Sequence, residues 1–197
     1  MDSLQFIYPE PCFLSGNPPE FLKVRGCAKI KAMERDYLFA PHKLDYVRGK
    51  RPEVPCILCA VRDQHPDVDN LEVHRNDEFL VSLNLYPYNP GHLLIVPLRH
   101  VESPAELNDR EALSLHHTQR LCLEIIRSLY PAGGFNLGYN LGELGGGSIA
   151  HLHLHIVPRF RNEHGFITAL AHTHLLVENP RDMSGRFQAA FKAATEV

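Results

Sequence analysis

His151-Leu152-His153-Leu154-His155-Ile156-Val157-Pro158-Arg159 is the stretch on which the fold turns. A histidine alternates with an aliphatic residue three times before the run closes on Val-Pro-Arg. Successive side chains of a strand point to opposite faces. The spacing therefore predicts a strand over His151 to Phe160, with His151, His153 and His155 on one face and Leu152, Leu154 and Ile156 on the other. Three imidazoles side by side are costly to bury unless each has a partner, so an ordinary core strand explains them poorly. Just upstream, Asn140-Leu141-Gly142-Glu143-Leu144-Gly145-Gly146-Gly147-Ser148 is a glycine-rich turn. Such a turn leaves backbone N–H groups free to ring an anion, and Asn140 and Ser148 add side-chain donors. A neutral imidazole can attack phosphorus when a neighbour fixes its tautomer, and donors nearby stabilise charge on the non-bridging oxygens. The segment thus points to phosphorus chemistry on one of the aligned histidines.

Working outward, Glu78 to Leu85 and His92 to Leu98 are apolar runs of strand length. Tyr86-Pro87-Tyr88-Asn89-Pro90-Gly91 joins them and must turn. Asn108 with Glu111 three residues on is a capping-box pattern. Leu115, Cys122, Ile125, Ile126 and Leu129 then recur at helical spacing, until Pro131 and Gly133-Gly134 end the run. Phe135 to Asn140 reads as a further strand. Strands outnumber helices and the connections are short, which gives an α+β class with one long helix. Residues 1–50 are rich in turn signals and read as a peripheral N-terminal extension. Residues 51–165 form the expected catalytic domain, and 166–197, amphipathic from Asp182 onward, form a C-terminal segment packed on that domain or on a dimer partner.

The run His151 to Val157 resembles the His-x-His-x-His-x-x signature of the histidine-triad family. The segment Asn84 to Pro97 is similar to that family's nucleotide-binding hairpin, and the turn ending at Ser148 fits as well. The resemblance covers roughly residues 56 to 160 in the family's order. It implies an antiparallel meander assembled as a two-fold homodimer. It also implies a covalent nucleotidyl intermediate on His153, with His155 supporting the α-phosphate and His151 completing the triad. Ser148, Asn140 and Gly147 then fall at phosphate-contacting positions, Asn84 where the ribose hydroxyls bind, and His92 near the triad. Many members carry Gln where Gly147 stands here.

Cys56-Ile57-Leu58-Cys59 supplies two thiols at zinc spacing. By itself the pair is compatible with a redox motif, half a zinc site or two packed thiols. A closed site needs two more ligands, for which His100 and His151 are candidates. In histidine-triad members that begin with Cys-x-x-Cys, zinc is held by that pair, a histidine at the position of His100 and the first triad histidine. The resemblance therefore implies a structural zinc on Cys56, Cys59, His100 and His151.

A net charge of -3 argues against nucleic acid as the partner, so a polyanion must be held by local groups. No apolar run is long enough to cross a bilayer and no signal peptide is visible at Met1 to Leu4. Five irregularly spaced cysteines make a poor disulfide framework, so a reducing cytoplasmic setting is expected. Two subgroups of the family compete as guides: hydrolases of nucleoside phosphoramidates, and enzymes that cleave dinucleoside polyphosphates. Phe39 to Val47, the Asn84 to Gly91 hairpin and the segments Val157 to Phe160 and Phe166 to Thr168 resemble bacterial diadenosine tetraphosphate phosphorylases. A dinucleoside polyphosphate phosphorylase or hydrolase is the resulting expectation. A non-enzymatic nucleotide sensor would not need an intact triad. A sugar-1-phosphate nucleotidyltransferase would be longer and would lack His155. Arg159, at the strand's end, reads as a solvated cation, and Tyr86 and Tyr88 as packed turn residues.

Overall fold

Phe79-Leu80-Val81-Ser82-Leu83 and Leu93-Leu94-Ile95-Val96-Pro97 are buried at every position, as strands covered on both faces must be. In the computed structural model, which describes residues 52–161, 163, 176 and 178–196, they are the second and third strands of a five-stranded sheet. Its strands are β1 (Glu72–Arg75), β2 (Phe79–Leu83), β3 (Leu93–Pro97), β4 (Gly134–Gly138) and β5 (Leu154–Arg159). All neighbours are antiparallel, in the order β1-β2-β3-β5-β4. The meander expected from the sequence therefore holds only through β3. After the long helix the chain lays down β4 at the edge, and β5 returns between β4 and β3. That return places Leu94 and Gly138 on either side of His155.

Among the described residues three α-helices accompany the sheet: α1 (Ile57–Arg62), α2 (Asp109–Leu129) and α3 (Pro180–Thr195). The capping box on α2 forms as its sequence predicts. Asn108 Oδ1 accepts from the Glu111 amide at 3.0 Å and Glu111 Oε2 accepts from the Asn108 amide at 2.9 Å. Leu115, Cys122, Ile125 and Ile126 carry α2 onto the sheet, and α3 adds Met183, Phe187 and Phe191 to the same core. Leu154 and Ile156 of β5 point into that core. On the opposite face Leu80, Leu94 and Val96 meet Leu58 and Val61 of α1. His155 lies beside Leu94, so it belongs to this second face, away from α2.

The expected strand from His151 is shorter than its alternation suggests, because the ladder begins only at Leu154. His151 and Leu152 precede it, and the Leu152 amide donates instead to Val101 O, beyond β3, at 2.6 Å. No helix among the described residues is long and apolar enough to cross a membrane. The N-terminal extension 1–50, with its Phe39 to Val47 segment, and the segment Phe166 to Thr168 lie outside the described residues.

Candidate active site and metal centre

Side-chain chemistry at the triad is set by main-chain groups. His153 Nδ1 lies 2.8 Å from the carbonyl oxygen of His151. A carbonyl only accepts, so Nδ1 carries the hydrogen and Nε2 keeps its lone pair. His153 is buried and its ring stands 4.9 Å from that of His155, edge to face. The next link is equally constrained. The Tyr88 amide donates to His92 Nδ1 at 3.1 Å and Asn84 Nδ2 reaches the same atom at 3.3 Å. His92 must then carry its hydrogen on Nε2, which meets His155 Nδ1 at 3.0 Å. His155 in turn carries its hydrogen on Nε2. Asn140 Nδ2 lies 3.4 Å from that nitrogen. Two donors cannot share the contact, and turning the amide over presents Oδ1 instead.

Burial, with the neighbouring imidazoles, pushes His92 down to about 3 and His155 down to about 4. Both rings are neutral near pH 7. The sequence-predicted residues Asn84, His92, His155 and Asn140 are thus brought together in one hydrogen-bonded chain, with the His153 ring standing edge to face against His155. Asn84 also closes the hairpin turn, accepting from the Tyr86 amide at 3.0 Å.

His151 turns away from this row. Its Nε2 meets Pro97 O at 2.9 Å, which fixes the hydrogen there and leaves Nδ1 free. That Nδ1 lies 3.4 Å from both Cys56 Sγ and Cys59 Sγ, while His100 Nδ1 lies 3.3 Å from Cys59 Sγ. All four ligand atoms fall within 4.8 Å of one another. Bonds of about 2.3 Å to sulfur and about 2.0 Å to nitrogen put the S and N of a tetrahedral zinc site about 3.5 Å apart. The donor set and the spacing both fit zinc. Burial and the adjacent Cys56 push the Cys59 thiol up to about 11, so a bound cation is what would make it a thiolate at neutral pH. Helix α1 organises the pair, since Cys56 is its N-cap and Cys59 lies in its first turn.

The glycine-rich turn is used differently from its simplest reading. The Gly146 amide donates to Glu143 O at 3.0 Å and the Gly147 amide to Gly142 O at 2.9 Å, so two N–H groups expected to ring an anion hold the turn itself. A Cβ on Gly147 would stand 2.7 Å from Asn140 O, which leaves no room there for a larger side chain. Ser148 is exposed and lines a hollow of about 530 Å3 together with Asn140, Gly147 and His151. A second cleft, of about 390 Å3, begins at His155 and Asn140 and runs over β4 and β5. Its lining includes Tyr88, Asn89, Asn136, Gly138 and Glu163, none of them anticipated from the sequence as site residues. The alternation Phe135-Asn136-Leu137-Gly138 held the available signal, because it places Asn136 and Gly138 on one strand face. Arg159 lies in the same cleft and pairs with Glu163 at 2.6 Å instead of being merely solvated.

Alternate histidines leading into an antiparallel strand, beside a glycine-rich turn and opposite one long helix, define a histidine-triad domain. Comparison with known proteins reaches the same class, since the HIT domain model matches residues 65–162. An AP-4-A phosphorylase of Mycobacterium tuberculosis is 40% identical over 120 residues, 60% of this chain and 62% of that relative's length. Protein hit of Bacillus subtilis is 30% identical over 128 residues, 65% of this chain and 86% of that protein. A Zn-bound histidine triad family protein from Mycobacterium smegmatis shares the fold. Its TM-score is 0.58 at 23% identity, covering 72% of this chain and 96% of that one. The chain belongs to the HIT domain family.

Proposed function

We propose that the chain is a dinucleoside polyphosphate phosphorylase or hydrolase that works through a nucleotidyl group on His153. The observation that carries this reading is the contact between His153 Nδ1 and the His151 carbonyl, which leaves Nε2 as an unprotonated nucleophile. In the first step Nε2 forms a bond to the α-phosphorus. The P–O bond to the departing phosphate breaks, and its electron pair leaves on that oxygen. Positive charge building on the His153 ring is met at Nδ1 by the carbonyl dipole. In the second step an oxygen of phosphate or water bonds to phosphorus, the P–N bond breaks with its electron pair returning to Nε2, and any proton on the attacking oxygen passes to solvent.

Burial holds His155 neutral, and it meets the departing group as a hydrogen-bond donor through Nε2. The M. tuberculosis relative, named AP-4-A phosphorylase, supports the dinucleoside polyphosphate class of substrate. Asn84 is assigned to the ribose, and Asn140, Ser148 and the Gly147 turn to the phosphates. Cys56, Cys59, His100 and His151 would hold a structural zinc, a reading that the Zn-bound M. smegmatis neighbour supports. With four protein ligands its contribution is cross-linking of α1, the end of β3 and the triad segment.

A two-fold homodimer is part of the proposal. Among the described residues nothing pairs with the outer side of edge strand β4, and Leu137, Leu141 and Leu144 are exposed on it and on the following turn. The test of the activity is nucleotide chromatography after incubation with diadenosine tetraphosphate, with and without phosphate, beside His153→Ala. ATP plus ADP only with phosphate identifies a phosphorylase, and ATP plus AMP without it a hydrolase. Cleavage by His153→Ala at the parent rate would refute the nucleophile.

A further inference from the structure

Strands β4 and β5 pair so that Gly138 lies opposite His155 and Asn136 opposite Val157. Cross-strand partners share a face, here the one turned away from α2. A Cβ on Gly138 would meet nothing within 4 Å, and its φ is not positive, so neither crowding nor backbone conformation calls for glycine. Glycine weakens a strand, and its use inside one often marks close approach of a ligand. The room it leaves is the inner end of the cleft of about 390 Å3 that opens beside His155.

The cleft has the dimensions and lining of a small-molecule site. Such sites span about 300–1,000 Å3, and from His155 to Arg159 the strand runs about 13 Å. Tyr88 is more than half exposed, with its ring stacked on His92 at 5.0 Å. Asn136 offers a carboxamide along one side, while Asn140, assigned to the phosphates, stands beside His155 at the inner end. At the far end the Arg159 guanidinium is held by Glu163 and, at 3.2 Å, by Asn136 Oδ1. The departing phosphates start from the inner end beside His155 and Tyr88, a carboxamide suits ribose hydroxyls, and the guanidinium at the far end suits an extended phosphate chain or the face of a base. His153 is not part of this lining, whereas His155, which presents Nε2–H, forms its inner end.

We propose that this cleft is the subsite for the departing nucleotide, whose phosphates and nucleoside lie over Gly138 between Tyr88 and Arg159 while the transferred nucleotide stays on His153. The assignment rests on the reading of His153 as the nucleophile in a dinucleotide enzyme. His155 Nε2–H then meets the bridging oxygen as it departs. Gly138 is a specificity-determining residue, since a β-branched side chain there suits the strand yet fills the cleft where the departing group must enter.

The test compares two donors of the same adenylyl group in the full-length protein: diadenosine tetraphosphate, which leaves as a nucleotide, and adenosine 5′-phosphorofluoridate, which leaves as fluoride. Gly138→Val should lower kcat/KM for the dinucleotide relative to the fluoridate by about tenfold or more, with no fall in melting temperature. Arg159→Ala should shift the ratio in the same direction, and it provides the test if Gly138→Val fails to fold. Equal losses on both donors, or no loss on either, would overturn the subsite while leaving His153 in its role. A wild-type protein that uses the fluoridate but not the dinucleotide would overturn the dinucleotide reading, and the subsite with it.

Discussion

The carbonyl oxygen of His151 lies 2.8 Å from Nδ1 of His153, while the ring of the same His151 offers Nδ1 to both Cys56 and Cys59 at 3.4 Å. One residue therefore belongs to two centres, through its side chain to the metal ligands and through its main chain to the nucleophile. Pro97 O fixes the ring from the other side. Whatever holds the His151 side chain also aims the carbonyl that selects the His153 tautomer.

Loss of the metal should therefore reach the chemistry without touching the substrate. Cys56→Ser should purify without zinc, where the parent carries about one per chain. It should melt at lower temperature, and its kcat should fall by about 10–100-fold, the usual scale for losing an orienting partner, with KM little changed. Metal analysis together with steady-state kinetics checks this. A zinc-free variant with the parent's kcat would separate the two centres.

The nucleophile itself is open to a sharper measurement. His153→Ala keeps the main chain of residue 153 and removes only the imidazole, so binding groups stay in place. Turnover should fall by at least about 10⁴-fold, as for other nucleophiles that act within a unit. Mass spectrometry of the parent, quenched during turnover, should find a nucleotide on the peptide bearing His153. That adduct should be lost on brief acid treatment, because a P–N bond is acid-labile. An adduct elsewhere in the chain would reassign the nucleophile.

Much of this arrangement was legible in the residues. The period of two over His151 to Ile156 located the histidines, and the Asn108/Glu111 pair fixed the start of α2. What alternation could not tell is where pairing begins. His151 and His153 share the strand's rhythm but precede its ladder, because the Leu152 amide donates to Val101 O instead of to a β-strand neighbour. The sequence also left the orienting groups hidden, since the Tyr88 amide, Pro97 O and His151 O are main-chain atoms that every residue type possesses. The Cys56/Cys59 spacing was plain, whereas α1 between and after them was not. Six residues give too short a window for a helical period to register. Strand order was out of reach for a different reason, because β5 enters between β3 and β4 after a connection that local pattern does not constrain.

Acid should destabilise the fold through imidazoles held neutral by the protein, among them the linked pair His92 and His155. His92 and His155 have folded values of about 3 and about 4, against 6.5 for the free group. With depressed folded values, the unfolded chain binds more protons across that interval, so stability rises with pH there. The full stability is present above pH 6.5 and is lost as pH falls toward 4 and then 3. Denaturant titrations at pH 7, 5.5 and 4.5 should show this slope, and His92→Asn should flatten it. A parent whose stability is flat from pH 7 to 4.5 would mean that these rings are not held neutral.

Gly91 offers a test of how the hairpin turn sets the site. Its φ is +77°, in the left-handed region, and it immediately precedes His92. A Cβ there would stand 3.3 Å from Tyr130 Cε2 and 3.5 Å from Phe187 Cζ, in the packing between α2 and α3. Gly91→Ala combines the left-handed penalty of about 1–2 kcal/mol with crowding against those rings. The turn would yield where it is least supported, at the His92 amide, whose bond to Asn89 O is already 3.2 Å. Movement of His92 loosens its contact with the Tyr88 amide and so the tautomer of His155. Urea denaturation should report a loss of about 1–2 kcal/mol or more, and kcat should fall with it. Gly134→Ala is the control, because its φ is not positive and its Cβ would meet nothing within 4 Å. Equal stability of the two variants would show that the turn does not depend on the left-handed residue at 91.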